Sequence, residues 1–203
     1  MHKAIAIAVM MASGMLVGCA GDASNPTAAL MVPVFSSSTN ASANADGGNF
    51  GTPLSAAEEV MPAGVVNTSG ARGSAIFQLN ASGDTLTYKL IVANIDNVFM
   101  AHIHLAAPGV NGPIVVWLYP STTPVPAPVA QGRIDGVIAE GTITAANLVG
   151  PLAGAPLSAL LDDLRSGNAY VNAHTNDGVA PTNTGPGDFP GGEMRGQVEQ
   201  RGR

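Results

Sequence analysis

Between Gly73 and Val92 the chain alternates with a period of two. Ala75, Phe77 and Leu79 fall on one side and Ser74, Ile76 and Gln78 on the other; Leu86, Tyr88, Leu90 and Val92 are then set against Thr85, Thr87 and Lys89. That period belongs to half-buried β-strands. Asn80-Ala81-Ser82-Gly83-Asp84 has the composition of a turn, so Gly73–Leu79 and Asp84–Val92 are predicted to form a hairpin. Strand signals recur at Val98–Leu105, Ile114–Tyr119, Gly132–Ile143, Ala169–Thr175 and Met194–Glu199, and Asn111-Gly112-Pro113 marks a turn between two of them. One segment has a different period. Leu157, Leu160, Leu161 and Leu164 lie at i, i+3, i+4 and i+7, a single apolar stripe. Pro156 suits the first turn of that helix and Gly167 the position just past its end. About seven short strands over roughly 145 residues predict an all-β, antiparallel β-sandwich. Its one short helix lies in a crossover between the sheets and packs over their open end.

The start of the chain reads as an address. Met1-His2-Lys3 is a short basic beginning, and Ala4 to Met15 is an apolar run broken only by Ser13 and Gly14. It is shorter than the roughly 20 residues a spanning helix needs and fits the hydrophobic region of a secretory signal peptide. Leu16-Val17-Gly18-Cys19 resembles the cleavage box of bacterial lipoproteins, and Cys19 is the only cysteine of the chain. The resemblance implies a signal peptide over residues 1–18 and a lipid on Cys19. The acylated terminus, cut in front of that cysteine, then holds the protein to the membrane by several acyl chains, where one would hold it only marginally. The alternative is an ordinary secretory signal with an unrelated cysteine. Ala20 in the next position implies the outer membrane, with the protein facing the periplasm or the cell surface. Residues 19–52 are rich in Ala, Ser, Asn, Thr and Gly and read as a flexible tether, apart from apolar Ala28–Phe35, which could add a strand. The folded domain is expected over 53–199, with a tail at 200–203.

Composition narrows the function classes. The 203 residues are 46% hydrophobic, 4% aromatic and 11% charged, with net charge −6. An acidic chain lacks the basic face that phosphate neutralisation requires, so nucleic acid is excluded as a partner. A single cysteine excludes an internal disulfide framework and multi-thiolate zinc sites.

The candidate chemistry gathers around three histidines. In a strand, His102 and His104 point to one face together with Met100, while Phe99, Ile103 and Leu105 face the core. Tyr170, Asn172 and His174 likewise share a face, as do Glu193, Arg195 and Gln197. Two readings follow. The first is a metal site of His102, His104 and His174, with Glu193 or Glu59 nearby and Met100 as a soft ligand for copper. Three imidazoles leaving an open position suit copper or zinc. The second is a buried polar network in which Glu59, Asn172, Glu193 and Arg195 join the histidines and fix strand register, an Arg–carboxylate pair satisfying its charges. Catalysis is not expected: no serine nucleophile elbow occurs, and the one cysteine is committed to the anchor. The His-x-His strand resembles that of Cu/Zn superoxide dismutase, but four histidines including His2 cannot supply that family's ligand set.

Five segments also resemble the CHRD (chordin-type) domain: Leu54-Ser55-Ala56-Ala57-Glu58-Glu59-Val60-Met61-Pro62, His102-Ile103-His104, Asn111-Gly112-Pro113-Ile114-Val115-Val116, Asn168 to Thr175, and Gly192-Glu193-Met194-Arg195-Gly196-Gln197-Val198. The likeness runs from about Pro53 to Val198. Met61 departs from a position that is often proline, and the Thr182–Pro190 loop is longer than usual. The resemblance implies an immunoglobulin-like sandwich without a defined molecular activity. The function expected is therefore a membrane-anchored binding or structural module of the cell envelope, with an unidentified envelope protein or polysaccharide as partner; the alternative is a periplasmic metal-binding protein. The Gly/Pro/Asn/Thr-rich loop Thr182–Pro190 reads as a mobile excursion, with a contact surface as the alternative. The anchor has a direct test: Cys19→Ser is expected to abolish incorporation of radioactive fatty acid, and unchanged labelling would refute it.

Overall fold

The computed structural model describes residues 48–120 and 126–202. The signal segment, Cys19, the Ala28–Phe35 run and most of the expected tether lie outside the described residues. Nine strands and one α-helix follow in order: β1 Asn49–Ser55, β2 Arg72–Leu79, β3 Leu86–Asp96, β4 Val98–Leu105, β5 Ile114–Tyr119, β6 Arg133–Ile143, α1 Leu157–Arg165, β7 Ala169–Thr175, β8 Met194–Gln197 and β9 Glu199–Gln200. Strands β4, β5 and β7 have the bounds their alternation predicts. β2 and β3 form the expected hairpin, with Phe77 opposite Tyr88 and Ala75 opposite Leu90. Asn80 closes its turn by accepting the Asp84 and Thr85 N–H groups on its side-chain oxygen. The last predicted strand is interrupted at Val198, and its second piece, β9, pairs with β1.

β1 is the element the sequence reading lacks. It begins at Asn49, inside the stretch read as tether, because Phe50 sits opposite Phe77 and both are fully buried. Two apolar rings in register outweigh the Ala/Ser/Asn/Gly composition that precedes them.

The pairing runs β5-β4-β7-β8-β1-β2-β3-β6, every pair antiparallel. The two end strands, β5 and β6, approach each other, so the sheet curls into a nearly closed, barrel-like form. The all-β antiparallel expectation holds, but the strand order does not separate into the two sheets of the expected immunoglobulin-like sandwich. β8 bonds to β1 at Arg195 opposite Ser55 and makes the ladder continuous. Period-two alternation tells which side of a strand is buried and is the same in a sandwich and a barrel. A glycine at 196 permits the junction, since a Cβ there would drive into the Pro53 carbonyl and the Thr52 hydroxyl.

Inside the curl, Phe50, Phe77, Leu90, Ile95, Ile103 and Leu118 form the core. Helix α1 lies in the connection from β6 to β7 and buries all four leucines of its stripe in that core. Pro156 occupies the N-cap, one place earlier than the first turn, and Gly167 beyond the last turn takes a positive φ of 69°.

Candidate functional site

β4, β7 and β8 are neighbours, and their register decides what meets. His102 stands opposite Asn172, His104 opposite Tyr170 and Met100 opposite His174; Asn172 in turn stands opposite Arg195 and Tyr170 opposite Gln197. The polar sides of three strands thus form one surface. Unlike the polar face of most half-buried sheets it is removed from water: His102 is 0% exposed, His104 7%, His174 5% and Arg195 2%.

The three histidines offer ligand atoms that all lie within 4.8 Å of one another. Backbone carbonyls fix the ring protons of two of them. His104 Nδ1 lies 2.9 Å from the Gly112 carbonyl oxygen, and His174 Nδ1 lies 2.9 Å from that of Pro190. A carbonyl can only accept, so both Nδ1 atoms donate, and in the neutral ring Nε2 is left with a bare lone pair. His174 Nε2 nevertheless lies 2.9 Å from the Asn172 side-chain oxygen, while His102 Nδ1 approaches it at 3.2 Å. Nε2 of His102 and Nε2 of His104 are buried with no hydrogen-bond partner.

The surrounding groups hold these rings in place. The Gly112 peptide takes the His104 proton on its oxygen and donates its N–H to the Tyr170 hydroxyl at 3.1 Å. Glycine is required there, because a Cβ would collide with the Leu105 carbonyl. Tyr170 stacks on His104 with ring centroids 4.8 Å apart and planes 9° apart. The Arg195 guanidinium lies 3.4 Å from the Tyr170 ring centroid. Trp117, from β5, meets His102 edge-on at 4.2 Å.

Several expected members of the site are placed elsewhere. Glu193 is not among the clustered ligands: its carboxylate accepts from Ser69 Oγ, from Thr175 Oγ1 at 2.6 Å and from Gly187 N–H at 2.8 Å. Glu193 precedes β8, so strand alternation does not govern where it points. Arg195 pairs with neutral oxygens, those of Asn111 at 3.2 Å and of Ala107 and Gln197 at 3.4 Å, and with the Tyr170 ring, in place of the expected carboxylate. Glu59 sits beside Asn172 and Gly192, with one oxygen bonded to Val60 N–H and the other, Oε2, buried without a partner. Phe99 turns its ring toward His174 at 6.5 Å and is not core-facing, because an irregularity between Val98 and Met100 rotates the start of β4. Met100 itself is half-buried.

The Thr182–Pro190 loop is anchored rather than a mobile excursion. Asp188 and Phe189 are buried, Thr184 donates twice to Asp188, and the Pro190 carbonyl orients His174. The two carbonyls and the loop could not be read from side-chain patterning, which carries no signal for backbone acceptors. Tyr170 falls on the face that alternation groups with Asn172 and His174, but its stacking on His104 depends on the β4–β7 register.

The family model for the CHRD domain matches residues 50–198. No curated protein and no solved structure matches the chain.

Burial governs the charge state of the cluster. Desolvation, reinforced by the neighbouring histidines, holds His102 down to about 2. Desolvation holds His174 down to about 4 against the pull of the Pro190 carbonyl, and His104 is lowered by the same cause. Burial raises Glu59, with Val60 N–H, Arg195 and Asn172 opposing. All three imidazoles are therefore neutral at pH 7. In the unfolded chain they protonate near pH 6.5, so below that pH the unfolded state binds protons that the native state does not. The stability of the neutral cluster is fully present above about pH 7 and is lost on acidification. Between pH 6 and pH 5 the loss should be about 1 kcal/mol for each of His102 and His174, ~2 kcal/mol for the two, with His104 acting in the same direction. Urea unfolding at pH 8, 7, 6 and 5 should show a flat upper range and this fall; equal stability at pH 7 and pH 5 would contradict it.

Proposed function

We propose that this chain, which belongs to the CHRD domain family, is a non-catalytic metal-binding module of the cell envelope in which His102, His104 and His174 hold one copper or zinc ion. The observation that carries the reading is the proton arrangement around His174. Its Nδ1 proton is committed to Pro190, so an unprotonated Nε2 faces the Asn172 oxygen at 2.9 Å. Two lone pairs face each other, and the hydrogen that can reach that nitrogen is His102 Nδ1–H, at 3.2 Å. A cation relieves that repulsion. Exchanging the ends of the Asn172 amide would relieve it too, but would turn the amide oxygen toward the Glu59 carboxyl, which the amide N–H₂ now faces.

The donor set fits the ion. Nδ1–H to backbone carbonyl is the usual outer support of a ligating histidine, fixing tautomer and ring orientation. Neutral imidazoles need not lose a proton to bind. Donor atoms about 3.3 Å apart are needed for bonds of 2.0–2.1 Å in a tetrahedral site, so atoms within 4.8 Å would have to draw together around an ion. The envelope location rests on the leader-like segment and Cys19. The lipid anchor keeps the module at the membrane, and a protein or polysaccharide of the envelope is its further partner.

Zinc or copper titration of the purified domain tests this reading. One ion per chain is expected, with loss of stoichiometric binding in the His102→Ala/His104→Ala double variant. The single tryptophan, Trp117, 4.2 Å from His102, should report copper by loss of emission. Sub-stoichiometric metal that is unchanged in the folded double variant would overturn the proposal and leave the cluster as a buried polar network.

A further inference from the structure

We infer that the side-chain oxygen of Asn172 is a fourth ligand of this site, which closes the coordination and leaves no position for an outside molecule; the inference rests on the metal-site reading above. Register puts Asn172 at the centre of the set. It stands opposite His102 on β4, two residues before His174 on its own strand and two after Tyr170, which stacks on His104. The residue is 2% exposed, and its oxygen lies 2.9 Å from His174 Nε2. That nitrogen has no proton to give, because the ring keeps its proton on Nδ1 for Pro190. His102 Nδ1–H, 3.2 Å away, can satisfy the nitrogen and still leaves the oxygen bare. A buried amide oxygen without a donor is costly. Two acceptors held by one tetrahedral ion lie about 3.3 Å apart, close to the spacing of this pair.

The other end of the amide decides which atom faces the rings. A Cβ at Gly192 would collide with Glu59 Oε2 and lie 3.0 Å from Asn172 Nδ2, so the carboxyl and the amide N–H₂ come together at this one glycine. With the N–H₂ turned to Glu59, the oxygen is left for the histidines. The other side chains expected near the site do not compete for the place. Glu193 is held by Ser69, Thr175 and Gly187, and one oxygen of Asp188 by Thr184. Met100, the soft ligand that alternation suggests, is only half-buried at the irregular start of β4. Four protein ligands make a closed site of the structural kind, whereas a reacting metal keeps an open position. A closed site accords with a module that is not an enzyme.

The test uses the purified protein loaded with cobalt(II), a coloured probe of a zinc site, and azide as the outside ligand. One cobalt(II) per chain is expected, with a visible spectrum that azide leaves unchanged. Asn172→Ala opens the position: it should bind cobalt(II) roughly tenfold or more weakly, and its spectrum should shift when azide is added. Asn172→Asp keeps an oxygen in place and should stay silent to azide, a result that loss of packing alone would not give. If Asn172→Ala does not fold, the spectra of the unaltered protein and of Asn172→Asp decide the matter. An azide response in the unaltered protein, or tight and azide-silent binding in Asn172→Ala, would overturn the inference and leave a three-histidine metal site standing. Failure of cobalt(II), zinc(II) and copper alike to bind would overturn both.

Discussion

The pairing register of β4 with β7 is the constraint on which the site depends. Side chains alternate from residue to residue, so a slip by one position would send every histidine to the other face. In the register observed, His102 and His104 meet Asn172 and Tyr170, and β8 brings Arg195 against Asn172. The opposite sides of the same strands, Ala101, Ile103, Val171 and Ala173, are fully buried in the core. Apolar burial on one face thereby fixes the geometry of polar groups on the other.

That polar face is unusual in being dry. Burying a polar group without a partner costs free energy, and burying a charge costs far more. The fold keeps charge off the histidines and assigns the Nδ1 protons of His104 and His174 to Gly112 and Pro190. Arg195, a cation that cannot be neutralised, is accommodated by an aromatic face and three oxygens. Of the four buried side-chain atoms without a partner among the described residues, two are the Nε2 atoms of His102 and His104, and the others are oxygens of Glu59 and Asp188. A network serving only to fix register would be expected to close its own hydrogen bonds. Open lone pairs are what a ligand set requires.

Much of this was legible in the sequence, for a definite reason. β4 and β7 alternate cleanly, so their bounds and the grouping of His102, His104 and His174 follow from periodicity. The unread parts depend on information that periodicity lacks. Phe50 is buried because of Phe77, a partner distant in sequence. The continuity of the sheet hangs on one close approach at Gly196. Glu193 lies one residue before its strand, where alternation gives no direction, and it turns to Ser69 and Thr175. The Thr182–Pro190 loop has the composition of a mobile segment, yet Phe189 anchors it in the interior.

The metal-binding reading depends on three neutral imidazoles with unprotonated nitrogens within 4.8 Å of one another. Nitrogen-15 NMR of the histidine side chains at pH 7, in protein stripped of metal, tests it most directly. Neutral rings are expected, with His104 and His174 both protonated at Nδ1 and bare at Nε2. An imidazolium at any of the three positions, or a proton on Nε2 of His104 or His174, would contradict it.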